Sequence, residues 1–189
     1  FVYADGGDAW LTETSPLLAE LGLLAGTVAG EDDALGFAAH GGTAVVLRFG
    51  LFYGGAGNRG TGETLKLARL RRTQIAGSPG AYMSSIHAQD VATAIVAAVG
   101  APNGLYNVVD DEPLTRADYL AAFGAAFGVK PPRPTPPGLV RLLGGKSAGG
   151  LVASQRVSNA AFRAATGWAP HWPSARDGWG EVASQWEEE

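Results

Sequence analysis

Apolar residues in this chain fall into a few short, densely hydrophobic runs separated by longer stretches with helical spacing. TAVVLRF (43–49) and GLYNVVD (104–110) are β-branched, short and apolar on both faces, the pattern of strands buried in a parallel sheet. Residues 1–3 read as the end of another strand running into an Asp5-Gly6-Gly7 turn. Ser15 followed by Pro16 predicts a helix start. Over 21–40, Leu24, Val28, Leu35 and Ala39 keep helical spacing and predict a second helix. ETLKLARLRR (63–72) is amphipathic, with Thr61 as its expected cap. Two short extended pieces are expected around a Pro79-Gly80 turn, then a helix over 91–99 capped by Asp90. Thr115 and Asp118 form a capping box for the next helix. Residues 130–138, KPPRPTPPG, form a semi-rigid proline-rich connector. Beyond it are expected a short helix at 139–143, a glycine-rich turn, a Ser158-capped helix and a last helix from Ser174. Strand and helix alternate, which predicts an α/β fold with a mainly parallel sheet.

Composition narrows the picture without redirecting it. A chain of 189 residues suits one domain, or one with a small appendage. Its net charge of -4 argues against a nucleic-acid surface, which needs a clustered basic footprint. Arg69, Arg71 and Arg72 make the one tight basic group, and at a helix end they complement the dipole. The absence of cysteine removes disulfides, thiolate nucleophiles and cysteine-built metal sites. His40, His87 and His171 are scattered, so no metal is expected. No apolar run approaches the roughly 20 residues that span a bilayer, and the start does not resemble a signal peptide. A cytoplasmic protein with no membrane partner is expected. FVYADGG opens on strand-like residues without Met, which reads as the interior of a longer protein.

FYGGAGNRGTGETL (52–65) spells Gly55-x-Gly57-x-x-Gly60 between a strand-like and a helix-like run. In a dinucleotide-binding turn the first glycine follows its strand directly, and an acidic residue ends the next strand. Here the strand ends near Phe49, and TQIAG carries no carboxylate. The spelling is therefore read as a coincidence within a glycine-rich loop beside a ligand. Arg48 lies inside an apolar strand and needs a partner. Glu31 shares the inward stripe of Leu24, Val28 and Leu35, so an Arg48–Glu31 ion pair is expected to tie that helix to the sheet.

Five segments resemble, in order, the NAD-dependent epimerase/dehydratase family of extended short-chain dehydrogenases/reductases. VVLRFGLFYGGAGN resembles its LRxxxxYG segment, SSIHAQDVATAI its VHVDDVAxAI stretch, and GLYNVVDDEPLTRADY its GxYNVxxxxPxT strand and helix. SQRVSNAAFRAATGWAP is similar to its C-terminal LGWxP helix, and FVYADG to the xVYG turn after the fifth strand. The resemblance implies the C-terminal part of a Rossmann-like doubly wound sheet plus a small, mostly helical substrate-side segment. Residues 1–100 would be the partial NAD(P)-binding domain and 101–189 the substrate-side segment, interleaved with it. The N-terminal glycine-rich cofactor turn would lie upstream. No Tyr in the chain has Lys four residues later, so the family's Tyr-x-x-x-Lys pair is missing and catalytic residues stay unassigned.

The resemblance implies NAD or NADP as cofactor of the full-length protein, with Phe49, Gly50 and Leu51 contacting the nicotinamide. It implies a small polar substrate, in that family often a nucleotide sugar, near Tyr53, His87 and Arg156. Tyr53 reads equally as packing. His87 and Asp90 read either as a dyad or as strand end and helix cap, with His87 still able to touch ligand. Asn107 and Trp168 read as structural. Homodimerisation stays open. Two functions follow: an NAD(P)-dependent oxidoreductase, epimerase or dehydratase, or a catalytically silent NAD(P)-binding sensor or scaffold.

Overall fold

In the computed structural model, which describes residues 2–18, 24–54, 59–144 and 149–186, the two runs apolar on both faces pair with each other. The elements run β1 (Trp10–Leu11), α1 (Ala25–Ala39), β2 (Val45–Phe49), β3 (Leu51–Tyr53), α2 (Arg59–Arg69), β4 (Tyr82–Met83), β5 (Ser85–His87) and α3 (Ala88–Ala98). They continue with β6 (Gly104–Val108), β7 (Leu114–Thr115), α4 (Arg116–Ala126), α5 (Pro137–Gly144), α6 (Gly149–Val152), β8 (Arg156–Val157), α7 (Ala160–Thr166) and α8 (Ala175–Ser184). This is the mixed α/β architecture with parallel strands that the pattern predicts.

Strand β2 pairs in parallel with β6, Val45 opposite Gly104 and Phe49 opposite Val108. At Gly50 the chain changes partner. Gly50 N donates to Val108 O at 3.2 Å, Leu51 N donates to Ser84 O at 3.0 Å, and β3 then runs parallel to β5. The ends of β3, β5 and β6 are thereby brought to one edge, and Asp110 N donates to Ser85 O at 2.8 Å across it. β1 and β8 form a further parallel pair, β4 and β7 an antiparallel one.

Apolar clusters lie on both sides of these strands. Tyr53, Leu65, Tyr119, Phe123 and Trp179 bring α2, α4 and α8 together. Ile86, Ala94, Val108, Phe162 and Trp168 join the strands to α3 and α7. A smaller cluster of Tyr3, Leu11, Val109 and Val157 anchors the first residues. Trp168 is core, as expected.

Several local signals gave way to tertiary contacts. Pro16–Leu18 is not helical: Leu17 bridges to Tyr3, Ala4 N donates to Pro16 O, and Ser15 Oγ accepts from Thr12 N. Thr61 is no cap, because α2 is already under way at Arg59 and Thr61 is buried within it. Helix α3 is capped by His87, not Asp90, which sits in its first turn. Helix α7 is capped by Asn159, with Ser158 Oγ accepting from Ala160 N. The Thr115–Asp118 box and the Ser174 cap form where expected, with Asp118 N on Thr115 Oγ1 at 3.1 Å. The Gly55 and Gly57 pattern lies outside the described residues.

Candidate functional site

Ligands of open parallel sheets gather beyond the carboxyl ends of the strands. Here that edge is built from Phe49 to Tyr53, His87 and Asp110. Gly50 is required by close approach: a β-carbon would stand 2.9 Å from Ser84 O. Phe49 is half-buried, its ring edge-on to Phe52 at 5.5 Å, whereas Leu51 and Phe52 are 48% and 54% exposed. The junction of β2 and β3 therefore presents an apolar surface to solvent.

Tyr53 and His87 lie elsewhere in character. Both are buried, 5.3 Å apart between ring centroids. The Tyr53 hydroxyl reaches Ser174 O at 3.4 Å under α8, and its ring packs on Tyr119 and Trp179. Burial, reinforced by the charge of Asp110, pushes the Tyr53 phenol far above its ordinary value. It is a core residue here, and the expectation of a free hydroxyl in a cleft is corrected by the packing of α8. His87 Nδ1 accepts from Gln89 N at 3.3 Å, which leaves the proton on Nε2. Nε2 has no hydrogen-bond partner; Glu181 Oε2 stands 3.6 Å away. Burial lowers the His87 pKa, so the ring is neutral at pH 7; it packs on Trp172 at 4.0 Å between centroids, the planes inclined by 43°.

Asp90 accepts from His171 N at 2.8 Å and Trp172 N at 3.1 Å. It staples the C-terminal segment over the end of β5, and the dyad reading with His87 gives way to that role.

Asp110, which sequence reasoning passed over, is the most perturbed acid at this edge. It is 1% exposed, its Oδ2 accepts from Ser85 Oγ at 3.0 Å, and Oδ1 has no partner. Burial pushes its carboxyl up to about 8, against the lowering effect of Ser85. It is a neutral acid at pH 7. The signal was available: a carboxylate directly after a strand with no polar face.

Arg156 lies apart from Tyr53 and His87, and no contact joins them among the described residues. Its guanidinium carbon stands 4.3 Å from the Trp10 ring centroid and 4.9 Å from that of Tyr82. Nη1 donates weakly to Asp8 O at 3.4 Å, and the buried Nε has no partner. Each aromatic face contributes about 0.5–1 kcal/mol at such exposure. The neighbouring backbone is fixed: Ser154 Oγ donates to Gly7 O at 2.6 Å, and Gln155 Nε2 donates to Tyr3 O at 2.5 Å. Trp10 and Tyr82 were not legible as partners, being distant in sequence. The arrangement holds a flat cation with spare donors, suited to a carboxylate or phosphate.

The Arg48–Glu31 pair forms as expected. Nε and Nη2 donate to Glu31 Oε1 and Oε2 at 2.9 and 2.5 Å, and Nη1 donates to Tyr3 Oη at 2.9 Å. The Tyr3 hydroxyl donates in turn to Asn107 Oδ1 at 2.6 Å. Helix α1 thus carries a structural carboxylate. Among the described residues, no group of acids and histidines could hold a metal ion, and no helix is long and apolar enough to cross a membrane.

No family model matches the sequence. The chain is 34% identical over 182 residues to the 3-diazoavenalumate denitrifying reductase of a Streptomyces species, covering 95% of this chain and 56% of that protein. Its fold matches human epimerase family protein SDR39U1 (isoform 2), solved with NADPH, at a TM-score of 0.78 and 26% identity, covering 98% of this chain and 63% of that one. It also matches UDP-N-acetylglucosamine 4-epimerase from Bacillus cereus at a TM-score of 0.71 and 18% identity, covering 97% and 62%. The chain therefore spans a little over half the length of these proteins.

Proposed function

For a chain that carries the fold of the NAD(P)-dependent epimerase/dehydratase family, we propose that it is the substrate-side portion of an NAD(P)-binding oxidoreductase acting on a small, polar, anion-bearing molecule. The observation that carries this is Arg156, its guanidinium over the Trp10 and Tyr82 rings and tied by Nη1 only to Asp8 O at 3.4 Å. Residues 1–100 contribute the cofactor side and 101–189 the substrate side. In this reading the two interleave, and the pairing of β2 with β6 supports it.

NAD or NADP fits one end of the site. Exposed Leu51 and Phe52, beside the half-buried Phe49 and the Gly50 backbone, offer an apolar face for a nicotinamide ring. The glycine run between β3 and α2 lies partly outside the described residues, and no pyrophosphate contact is assigned to this chain. When bound, the cofactor supplies hydride chemistry. This chain's residues orient: Arg156 takes the substrate's anionic group, and the sealed Tyr53–His87 layer keeps water from the strand ends. Sugar nucleotides and smaller acids both present the anion that Arg156 recognises. The setting is cytoplasmic in this reading.

The test is NADPH consumption by the full-length protein with carbonyl, diazo and sugar-nucleotide compounds. Arg156→Gln should raise KM at least tenfold while leaving NADPH affinity within twofold. An unchanged KM removes Arg156 from the site. A second reading, a silent NAD(P)-binding sensor, is favoured by one observation: no Tyr stands four residues before a Lys. NADPH binding without turnover across the panel would select it.

A further inference from the structure

The one basic cluster in the sequence lines a groove that the oxidoreductase reading does not use. Between the end of α2 and the proline-rich connector lies a groove of about 600 Å³, with Arg71, Arg72 and Arg133 on its walls. Small-molecule sites commonly enclose about 300–1,000 Å³, mostly apolar with a few placed polar groups. Pro134, Pro136 and Leu139 supply the apolar wall. The wall is fixed, because Thr135 N donates to Ile75 O and Gly77 N donates to Thr135 O, both at 2.9 Å.

Two observations set these arginines apart, and a third lies behind them. None of the three makes an ion pair among the described residues, although Arg48, Arg163 and Arg176 each find a carboxylate in this acidic chain. Arg71 holds φ at +62°, and it is the one non-glycine residue with positive φ among the described residues. It ends α2, with Arg71 N on Ala68 O and Arg72 N on Leu67 O, the place where glycine is the default. A side chain kept in a strained helix stop points to a use for that side chain. Behind the groove, a β-carbon on Gly77 would stand 2.8 Å from Arg116 Nη1, a buried guanidinium nitrogen with no partner.

We infer that this groove binds a phosphorylated small molecule, its phosphate on the Arg71, Arg72 and Arg133 guanidinium groups and its apolar body against the prolines. Arginine suits this chemistry because its planar fork matches two phosphate oxygens at once. The site is independent of the oxidoreductase reading.

Phenyl phosphate is the probe, titrated calorimetrically against the protein with and without saturating NADPH, and benzyl alcohol is the apolar control. Saturable binding, unchanged by NADPH and at least tenfold weaker in Arg71→Gly, in Arg133→Gln and in the double variant carrying both, is the expected result. Arg71→Gly should also melt higher than wild type, since glycine relieves the positive φ, so its lost binding cannot be ascribed to unfolding. Absence of saturable binding overturns the inference, as does affinity retained in the double variant. Competition by NADPH overturns it too, by making the groove part of the cofactor's site.

Discussion

Removing the Glu31 carboxylate tests the link between α1 and the sheet. Glu31 and Arg48 side chains are 8% and 9% exposed, joined by two hydrogen bonds of 2.9 and 2.5 Å. Burial alone would lower the arginine pKa, yet the bonds to Glu31 and Tyr3 raise it overall, so the guanidinium stays charged. Glu31→Ala strands that charge, which costs about 3–5 kcal/mol. Each kcal/mol moves Tm by about 2–4 °C in a protein of this size, so a fall of roughly 6–20 °C is expected. Urea unfolding followed by tryptophan fluorescence should show a lower midpoint with an unchanged slope. The double change Glu31→Leu with Arg48→Met removes both charges and should lose less than the single one, about 0–2 kcal/mol. A single variant within about 1 kcal/mol of wild type, or a double variant worse than the single, would refute the reasoning.

Asp110 makes stability depend on pH. Its carboxyl titrates at about 8 when folded and near 3.9 when unfolded. The folded form keeps its proton where the unfolded form has lost it, so stability is greatest below about pH 4 and declines as pH rises through about 8. The gap of about four pKa steps corresponds to something on the order of 5 kcal/mol. Asp110→Asn should flatten the stability profile between pH 5 and 8; equal slopes in variant and wild type would dismiss the buried neutral acid. Asp90→Ala deprives the His171 and Trp172 amides of their acceptor and should cost about 2–4 kcal/mol. Tryptophan emission should shift red as Trp172 lifts from His87, and unshifted emission would contradict the stapling role.

Where residues interact with what lies near them in sequence or along one helical stripe, the fold was legible. The β2 and β6 strands, the Thr115 and Ser174 caps and the inward Glu31 all follow from spacing. Errors came where a local cap competed with a distant partner. Over Pro16–Leu18 the helix signal yielded because Leu17 found Tyr3, and Asp90 was drawn from capping to the amides of His171 and Trp172. At the candidate site, Arg156 was identifiable by resemblance, but Trp10 and Tyr82 are 146 and 74 positions away, and no pattern connects them. Asp110 was visible as a charge closing an apolar run; its burial became apparent only with Ser85 and Tyr53 packed around it.

The sealing of Tyr53 and His87 bears directly on where specificity resides. Trp172 packs against His87, α8 covers Tyr53, and Asp90 ties the covering segment down. A ligand reaching either side chain would have to break the two amide bonds to Asp90 and lift an aromatic layer built on Trp179. Single core aromatics of this kind contribute several kcal/mol; removing one costs about 3–5 kcal/mol. That exceeds what one hydroxyl or imidazole contact returns, about 0.5–1.5 kcal/mol for a neutral hydrogen bond. The ends of β3 and β5 therefore carry architecture. In the proposed oxidoreductase, recognition falls to the exposed β2–β3 junction and to Arg156, where no such layer has to move.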